Sequence, residues 1–115
     1  MKFYTYNKCS TCRKAKMFLE ENNVSFKEID LIENPPSKAV LKKALQGRDL
    51  RKLVNTSGVQ YRELKIKDKL KTMTETQALD LLAGNGKLVK RPIAIDGSTV
   101  TVGFNEGEYK DKWVS

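Results

Sequence analysis

The chain has 115 residues, the size of one ordinary domain, and this length suffices to bury a core without disulfide staples. It contains no histidine and no apolar run longer than three residues, which argues against histidine-based catalysis or metal sites, a membrane span and a signal peptide. The 22 basic and 14 acidic residues leave a net charge of +8. Such an excess is more often a solvated surface than a binding patch, and where it binds it favours nucleic acid, an acidic protein surface or an oxyanion without choosing among them.

The first third of the chain predicts a strand, a helix and a second strand. Residues 2–6 are aromatic-rich and alternate like a short strand, and the apolar residues of 11–22 recur with helical period. Residues 24–31 alternate again between apolar and polar side chains. A βαβ unit of this kind places its two strands parallel and joins them by a right-handed crossover.

The middle of the chain predicts mainly helices. One helix is expected to begin after its N-cap Ser37 and to be closed by Gly47, and a shorter one is expected over 48–54. A Thr-x-x-Gln capping box opens a third helix over 74–84. The lysine-rich segment 59–71 is only weakly patterned, and no structure is assigned to it.

In the last third of the chain, the spacing of apolar residues changes from that of helices to that of strands. Residues 92–95 and 99–102 predict two strands, and Asp96-Gly97 between them is a strong hairpin-turn signal. A terminal helix is expected over 106–112, after its N-cap Asn105. The order is therefore βαβ, a helical insertion, then ββα.

The only two cysteines, Cys9 and Cys12, form a C-x-x-C pair between the first predicted strand and helix. A βαβ half and a ββα half with this motif are the thioredoxin-like arrangement, so we expect an α/β fold with a mixed sheet flanked by helices. Cys9 precedes a helix N-terminus, where unpaired N–H groups and the helix dipole stabilise a thiolate, and Lys8 and Arg13 add positive charge. Cys9 is therefore the predicted nucleophile.

Cys12 follows one helical turn later and is the predicted resolving thiol. It can attack a mixed disulfide or sulfenic acid at Cys9 and so close an intramolecular disulfide. The alternatives are that both cysteines are small hydrophobes, or that the pair only protects against oxidation. A zinc site would need a second cysteine pair, so no metal is expected. The amides from Cys9 to Arg13, with the Arg13 guanidinium, also suit a tetrahedral oxyanion.

Arg91 and Pro92 open the third predicted strand. In a thioredoxin-like fold a proline here faces the cysteine loop and matches the cis-proline position. Arg91 is then expected to point toward Cys9 and to hold an anion or stabilise the thiolate. The alternative is a surface arginine before an edge-strand proline.

Several segments together resemble the glutaredoxin-linked arsenate reductase family and its Spx-type relatives. They are YNKCSTCR (6–13), ENPPS (33–37), KRPI (90–93) and VGFNE (102–106). The stretch from NTSG (55–58) to YREL (61–64) is similar to small, mostly uncharacterised members between the two branches. The resemblance spans nearly the whole chain. It implies a loop cysteine that attacks arsenate, with glutathione and glutaredoxin completing the reduction.

The resemblance carries over at some site positions and fails at others. Cys9 matches the family's nucleophile, Arg13 matches its loop arginine, and Arg91 matches the arginine before the cis-proline. Two further arginines of the family's oxyanion pocket fall at Asn55 and Gly103 here. Losing two charge-assisted contacts of roughly 1.5–3 kcal/mol each would weaken arsenate binding.

Cys12 is a further departure, because arsenate reductases of that branch typically lack a cysteine there. Spx-type regulators, by resemblance, have the C-x-x-C pair, bind RNA polymerase and switch on oxidation of the pair. They generally continue in a basic helical stretch beyond the point where this chain stops, at Ser115.

We therefore expect one cytoplasmic domain over residues 1–115, a monomer, acting as a thiol–disulfide oxidoreductase and candidate arsenate reductase. Its substrate would be a small oxyanion or a disulfide. No bound cofactor is expected, and glutathione with glutaredoxin, or thioredoxin, would serve as the electron donor and redox protein partner. The alternative is a redox-sensing regulator that binds the α-subunit of RNA polymerase.

Overall fold

The computed structural model describes residues 1–114. Its strands are β1 Lys2–Thr5, β2 Lys27–Asp30, β3 Ile93–Asp96 and β4 Thr99–Val102. Its α-helices are α1 Ser10–Glu21, α2 Lys38–Leu45, α3 Val59–Glu63, α4 Ile66–Leu70, α5 Glu75–Ala83 and α6 Glu106–Trp113. Short 3-10 turns occupy Leu50–Leu53 and Gly86–Leu88.

The chain divides into two compact units. The first comprises residues 1–30 and the chain from residue 91 onward, and the second comprises residues 31–90. The single domain expected over 1–115 stays a prediction, which cooperative unfolding in one transition would test. Within residues 1–114, no helix is both long and apolar enough to cross a bilayer.

The first unit holds a four-stranded mixed sheet in the order β2-β1-β3-β4. β1 and β2 are parallel, as the βαβ pattern predicted, and β3 is antiparallel to both β1 and β4. Because β1 and β3 run in opposite directions, the residues after β1 and those before β3 lie at the same end of the sheet. With α1 and α6 this is the expected mixed sheet with flanking helices of a thioredoxin-like fold.

The core of the first unit lies where α1 and α6 pack on the sheet. Ala15 and Leu19 of α1, at helical spacing, are fully buried with Phe3 and Tyr109, and several aromatic side chains pack against this cluster. Complete burial of a side chain such as Leu19 contributes about 1.5–3 kcal/mol. This packing fixes the N-terminus of α1, and with it the cysteine loop, against the sheet.

The terminal helix is held by three side-chain hydrogen bonds. The Asn105 amide oxygen accepts the Glu108 N–H at 2.9 Å, which confirms the predicted N-cap. The Tyr109 hydroxyl donates to the Gly103 carbonyl at 3.1 Å, and the Trp113 indole N–H donates to the Thr101 hydroxyl at 3.0 Å. α6 is thereby tied to β4 and to the loop that follows it.

The hairpin turn is displaced by one residue from its prediction. Asp96 pairs with Thr99, so Asp96 is the last residue of β3 and the loop is Gly97-Ser98. Gly97 has φ +59°, whereas Ser98 is not among the residues of positive φ. A positive φ at only the first loop position is typical of a type II′ turn, in which glycine is preferred there.

β2 is shorter than the predicted segment 24–31. It pairs only with β1, from Lys2 opposite Lys27 to Thr5 opposite Asp30. Because β2 is an edge strand, its length is limited by the four residues that β1 offers for pairing.

The second unit confirms two predicted helix starts. The Ser37 hydroxyl accepts the Val40 N–H at 3.2 Å, and Gly47, just beyond α2, has φ +74°. Thr74 and Gln77 form the reciprocal capping box of α5, with hydrogen bonds of 3.2 and 3.0 Å. The shorter helix predicted over 48–54 is only a 3-10 turn, Leu50–Leu53, capped by Asp49.

The lysine-rich segment 59–71, for which the sequence pattern predicts no element, forms α3 and α4. α3 has no buried residue and α4 has only Ile66, so the segment lacks the apolar periodicity that identifies a helix. Lys65 joins the two helices in a left-handed conformation, with φ +52°. The two short helices therefore contribute one buried side chain, Ile66, to the core and have no continuous apolar face.

Candidate active site

Cys9 is the N-cap residue of α1, in the first unit. Its backbone is extended, and its Sγ accepts the Cys12 backbone N–H at 3.4 Å. The Cys9 N–H donates to the Tyr6 carbonyl at 3.0 Å, and the Arg13 N–H donates to the Cys9 carbonyl at 3.1 Å. A sulfur atom thus occupies the place where a serine, threonine or aspartate oxygen usually caps a helix, next to the positive end of the helix dipole.

The Cys9 thiol is half-buried and its ionised form is stabilised. Burial acts to raise the pKa of Cys9 and is the largest single influence on it. Hydrogen bonds from the Cys12 side chain and backbone act the other way, as do the positive charge of Arg91 and the Thr11 backbone N–H. Together they hold the pKa of Cys9 below its ordinary value.

The Cys12 thiol has the opposite environment. It is 1% exposed, and this burial is the main reason why the pKa of Cys12 is raised to about 11. Its hydrogen bond with Cys9 raises the pKa further, while hydrogen bonds with the Thr5 hydroxyl and the Tyr6 backbone only partly offset the rise. Neither cysteine is in a disulfide here. The loop therefore combines an accessible thiol that ionises readily with a buried thiol that keeps its proton.

Arg91 and Pro92 lie at the same end of the sheet as Cys9. The Arg91–Pro92 peptide bond is cis, as predicted. Arg91 is half-buried, its guanidinium carbon lies 5.0 Å from the centre of the Tyr6 ring, and its charge lowers the pKa of Cys9. Its Nη1 is shielded from solvent and has no hydrogen-bond partner within residues 1–114. A buried, unpaired guanidinium N–H near a thiolate is suited to bind an anion.

Arg13 is placed differently from Arg91. Its side chain is exposed, and its Nη1 donates to the Asn7 carbonyl at 3.4 Å. This contact is at the long end of hydrogen-bond range, so the guanidinium is only loosely held beside the loop. A role for Arg13 in oxyanion binding stays a prediction.

The two positions where the resemblance expects arginine have structural roles in their own units. Gly103 is buried with φ +78°, and its N–H donates to the Pro92 carbonyl at 2.8 Å. An arginine there would have to adopt a left-handed backbone that L side chains rarely take. In the second unit, the Asn55 side chain donates to the Lys87 carbonyl at 3.3 Å and its N–H donates to the Leu88 carbonyl at 2.8 Å.

Two site residues are not among those that the sequence predicts. Thr5, 5% exposed, hydrogen-bonds the Cys12 thiol through its hydroxyl, and Tyr6 lies against the Arg91 guanidinium. The Tyr6 contact depends on the pairing of β1 with β3, and the Thr5 contact depends on how α1 lies on the sheet. No short motif encodes either arrangement. Among residues 1–114, no group of three or more Cys, Asp or Glu side chains is arranged to hold a metal ion.

Comparison with known proteins identifies the family. The model of the ArsC family matches residues 4–112. The chain is 51% identical over 113 residues to the uncharacterized protein YusI of Bacillus subtilis, covering 96% of each chain. It is 32% identical over 111 residues to the global transcriptional regulator Spx of Listeria innocua, covering 93% of this chain and 82% of that protein.

Solved structures agree with this assignment. An ArsC-family-related protein from Bacteroides fragilis is 44% identical with a TM-score of 0.90, covering 96% of this chain and 94% of that one. A protein named as a possible arsenate reductase from Streptococcus mutans is 40% identical with a TM-score of 0.84, covering 90% and 89% of the two chains. The chain therefore belongs to the ArsC family.

Proposed function

We propose that this protein is a thiol–disulfide oxidoreductase in which Cys9 is the nucleophile and Cys12 the resolving thiol. The observation that carries the proposal is the different placement of two thiols one helical turn apart, one half-buried at a helix N-cap and the other fully buried. Cys9 caps α1 with a lowered pKa, while Cys12 is buried with its pKa raised to about 11. At a given pH, a thiol with a lowered pKa is ionised to a larger extent than an ordinary thiol, and a thiol with a raised pKa competes less with it for the substrate.

With a disulfide substrate, the reaction transfers two electrons in two steps. The Cys9 thiolate attacks one substrate sulfur, a new S–S bond forms, and the other substrate sulfur leaves as a thiolate. Cys12 then loses its proton to solvent and attacks Cys9 Sγ, which forms the Cys9–Cys12 disulfide and releases the second substrate thiolate. Glutathione with glutaredoxin, or thioredoxin, would reduce this disulfide again.

Arsenate is the proposed oxyanion substrate. The Cys9 thiolate attacks arsenic(V), and one oxygen leaves as water after protonation. Attack of Cys12 on Cys9 Sγ then breaks the sulfur–arsenic bond, leaves both electrons on arsenic and forms the disulfide. One hydrogen arsenate ion, two thiols and two protons thus yield arsenous acid, one disulfide and one water.

Two observations support arsenate. The shielded Nη1 of Arg91 offers a donor near Cys9, to which the exposed Arg13 would add a second guanidinium. A protein named as a possible arsenate reductase is 40% identical to this chain. Gly103 would supply no charge, so we propose weaker arsenate binding than a site with arginine at that position would have. A monomer in the cytoplasm, where thiols are kept reduced, is the proposed setting.

The test is arsenate-dependent oxidation of NADPH by the purified protein. One assay contains glutathione, glutaredoxin and glutathione reductase, and the other contains thioredoxin and its reductase. Turnover that is lost in Cys9→Ser supports the proposal and identifies the donor. Absence of turnover with arsenate and with a low-molecular-weight disulfide, in a folded and fully reduced protein, would contradict it.

A second candidate function is redox-controlled regulation through RNA polymerase. It is favoured by the 32% identity to a protein named global transcriptional regulator Spx and by the C-x-x-C pair. In this case disulfide formation between Cys9 and Cys12 would change the cap of α1 and the surface around it. Pull-down of the polymerase α-subunit by reduced protein, oxidised protein and Cys9→Ser protein tests this candidate. Equal binding by all three would contradict redox control.

A further inference from the structure

We infer that Tyr6 is a positioning residue of the thiol site, whose ring holds the Arg91 guanidinium beside Cys9. The inference rests on the role proposed for Cys9 and extends it to a side chain that takes no part in the proposed bond changes. The Arg91 guanidinium carbon lies 5.0 Å from the centre of the Tyr6 ring, within the range of a cation–π contact.

The register of the sheet places these two residues together. In the antiparallel pair of β1 and β3, Tyr4 lies opposite Ile93. Two residues further along β1 and two residues earlier than β3 are Tyr6 and Arg91. The pairing therefore brings these two residues to the same end of the sheet, where the ring and the guanidinium meet.

Among the described residues, no acidic side chain holds the Arg91 guanidinium in place. Of the residues that the structure describes, no carboxylate lies within ion-pair distance of Arg91. A long arginine side chain loses rotamer freedom when it is held in one place, so some contact must stabilise the observed placement. The face of Tyr6 provides that contact.

An aromatic ring suits this position better than a carboxylate would. A carboxylate would hold Arg91 equally well, but its negative charge would cancel the positive charge that stabilises the Cys9 thiolate. The ring attracts the guanidinium through its quadrupole and carries no net charge. It also leaves the shielded Nη1 of Arg91 without a hydrogen-bond partner within residues 1–114, so this donor is not already used by a carboxylate.

The other groups around Cys9 are few. The Cys12 thiol and the N–H groups of Cys12 and Thr11 hydrogen-bond its sulfur, and Arg91 is the cation that stabilises the thiolate. The Arg13 guanidinium is exposed and donates to the Asn7 carbonyl. A change in how Arg91 is held should therefore be visible in the ionisation of Cys9.

The experiment measures the rate of Cys9 alkylation by iodoacetamide across pH, in fully reduced protein, with peptide mass spectrometry to separate Cys9 from Cys12. Tyr6→Leu removes the ring and keeps an apolar side chain. We expect its alkylation rate well below the thiol pKa to fall about two- to fivefold, the factor that corresponds to one lost cation–π contact. The limiting rate at high pH is not reduced, because there the thiol is ionised without help from Arg91.

Three controls make the test specific. Tyr6→Phe keeps the ring and should retain the native pH profile, whereas a shift as large as that of Tyr6→Leu would contradict the inference. Tyr61→Leu removes a tyrosine ring from α3 of the second unit and should leave the profile unshifted. In an Arg91→Gln background, Tyr6→Leu should have no further effect; an additional shift there would overturn the inference.

A measurement on the unsubstituted protein covers the case in which Tyr6→Leu does not fold. In the NMR spectrum, ring current from Tyr6 should move the Arg91 side-chain resonances upfield of their random-coil positions. Unshifted resonances would contradict the inference. Because neither experiment involves turnover, a protein without arsenate or disulfide turnover contradicts the proposed function while the result for Tyr6 stands.

Discussion

Among the α-helices of residues 1–114, four begin with a side chain that accepts a backbone N–H, and they fall into two kinds. α2, α5 and α6 are capped by oxygen atoms of Ser37, Thr74 and Asn105, at 3.2, 3.2 and 2.9 Å. α1 is capped by the sulfur of Cys9, at 3.4 Å. The same backbone geometry therefore serves two different purposes in one chain.

The difference lies in what the capping atom can do. An oxygen cap stabilises its helix by about 1 kcal/mol and undergoes no reaction near neutral pH. A thiol is a weaker hydrogen-bond acceptor, but its thiolate is a nucleophile, and the N–H groups and dipole of the helix stabilise that anion. At position 9 the helix has a weaker cap and the chain gains a reactive group.

The largest expected effect comes from turning the sulfur cap into an oxygen cap. Cys9→Ser should lower thiol-dependent turnover at least about a thousandfold, because the nucleophile is lost. Its free energy of unfolding should be unchanged or higher by up to about 1 kcal/mol, because serine is a preferred N-cap. Steady-state kinetics and urea unfolding check the two parts. Retained turnover, or a large loss of stability, would contradict this view of position 9.

The next largest effect is expected when the thiol of Cys12, which lies next to the sulfur cap, is removed. Cys12→Ala keeps the backbone N–H that Cys9 accepts but removes the S–H donor and the resolving sulfur. A mixed disulfide between Cys9 and glutathione should then persist instead of resolving within the assay. The small cavity should cost about 1 kcal/mol of stability. Mass spectrometry of the quenched reaction checks this, and release of glutathione at the native rate would show that Cys12 is not the resolving thiol.

Much of the site could be predicted because its signals are local. Cys9, Cys12, Arg91 and Pro92 stand beside elements that the patterning places in order, and the topology of the sheet brings the ends of those elements together. Likewise, Ser37 and the other oxygen caps stand immediately before apolar periodic segments, which is a signal contained in a few residues.

The remaining features depend on partners distant in the sequence. The contact of Tyr6 with Arg91 follows from the register of β1 with β3, and the hydrogen bond of Thr5 with Cys12 follows from how α1 lies on the sheet. α4 could not be identified because Ile66 is its only buried residue. A local sequence pattern identifies a helix or strand by its apolar face. A contact between distant residues, or a helix with one buried residue, produces no such pattern.

A smaller effect is expected when an oxygen cap is removed. Thr74→Ala should lower the free energy of unfolding by about 1 kcal/mol and the melting temperature by a few degrees, because α5 loses its capping box. The pH profile of Cys9 alkylation should not move. Thermal unfolding and the alkylation assay check both statements. A shifted alkylation profile would mean that oxygen caps also influence the thiol, and the contrast between the two kinds of cap would fail.

A further expected effect is the pH dependence of stability, to which the two thiols contribute with opposite sign. Because the pKa of Cys9 is lowered on folding, the unfolded chain binds more protons between the folded and ordinary pKa, and Cys9 stabilises the protein increasingly as pH rises through that window. The pKa of Cys12 is raised from 9.0 to about 11, so its contribution is complete below pH 9.0 and is lost as pH rises toward 11.

Urea unfolding across this range, in the native protein and two variants, separates these contributions. Relative to Cys9→Ser, the native protein should gain stability as pH rises toward the ordinary thiol pKa. Relative to Cys12→Ala, it should lose stability above that value. Two differences of the same sign would mean that the thiols share one environment. Opposite signs require that a single turn of α1 keeps one sulfur ready to ionise and the next one protonated, which is the property that distinguishes this helix start from the three capped by oxygen.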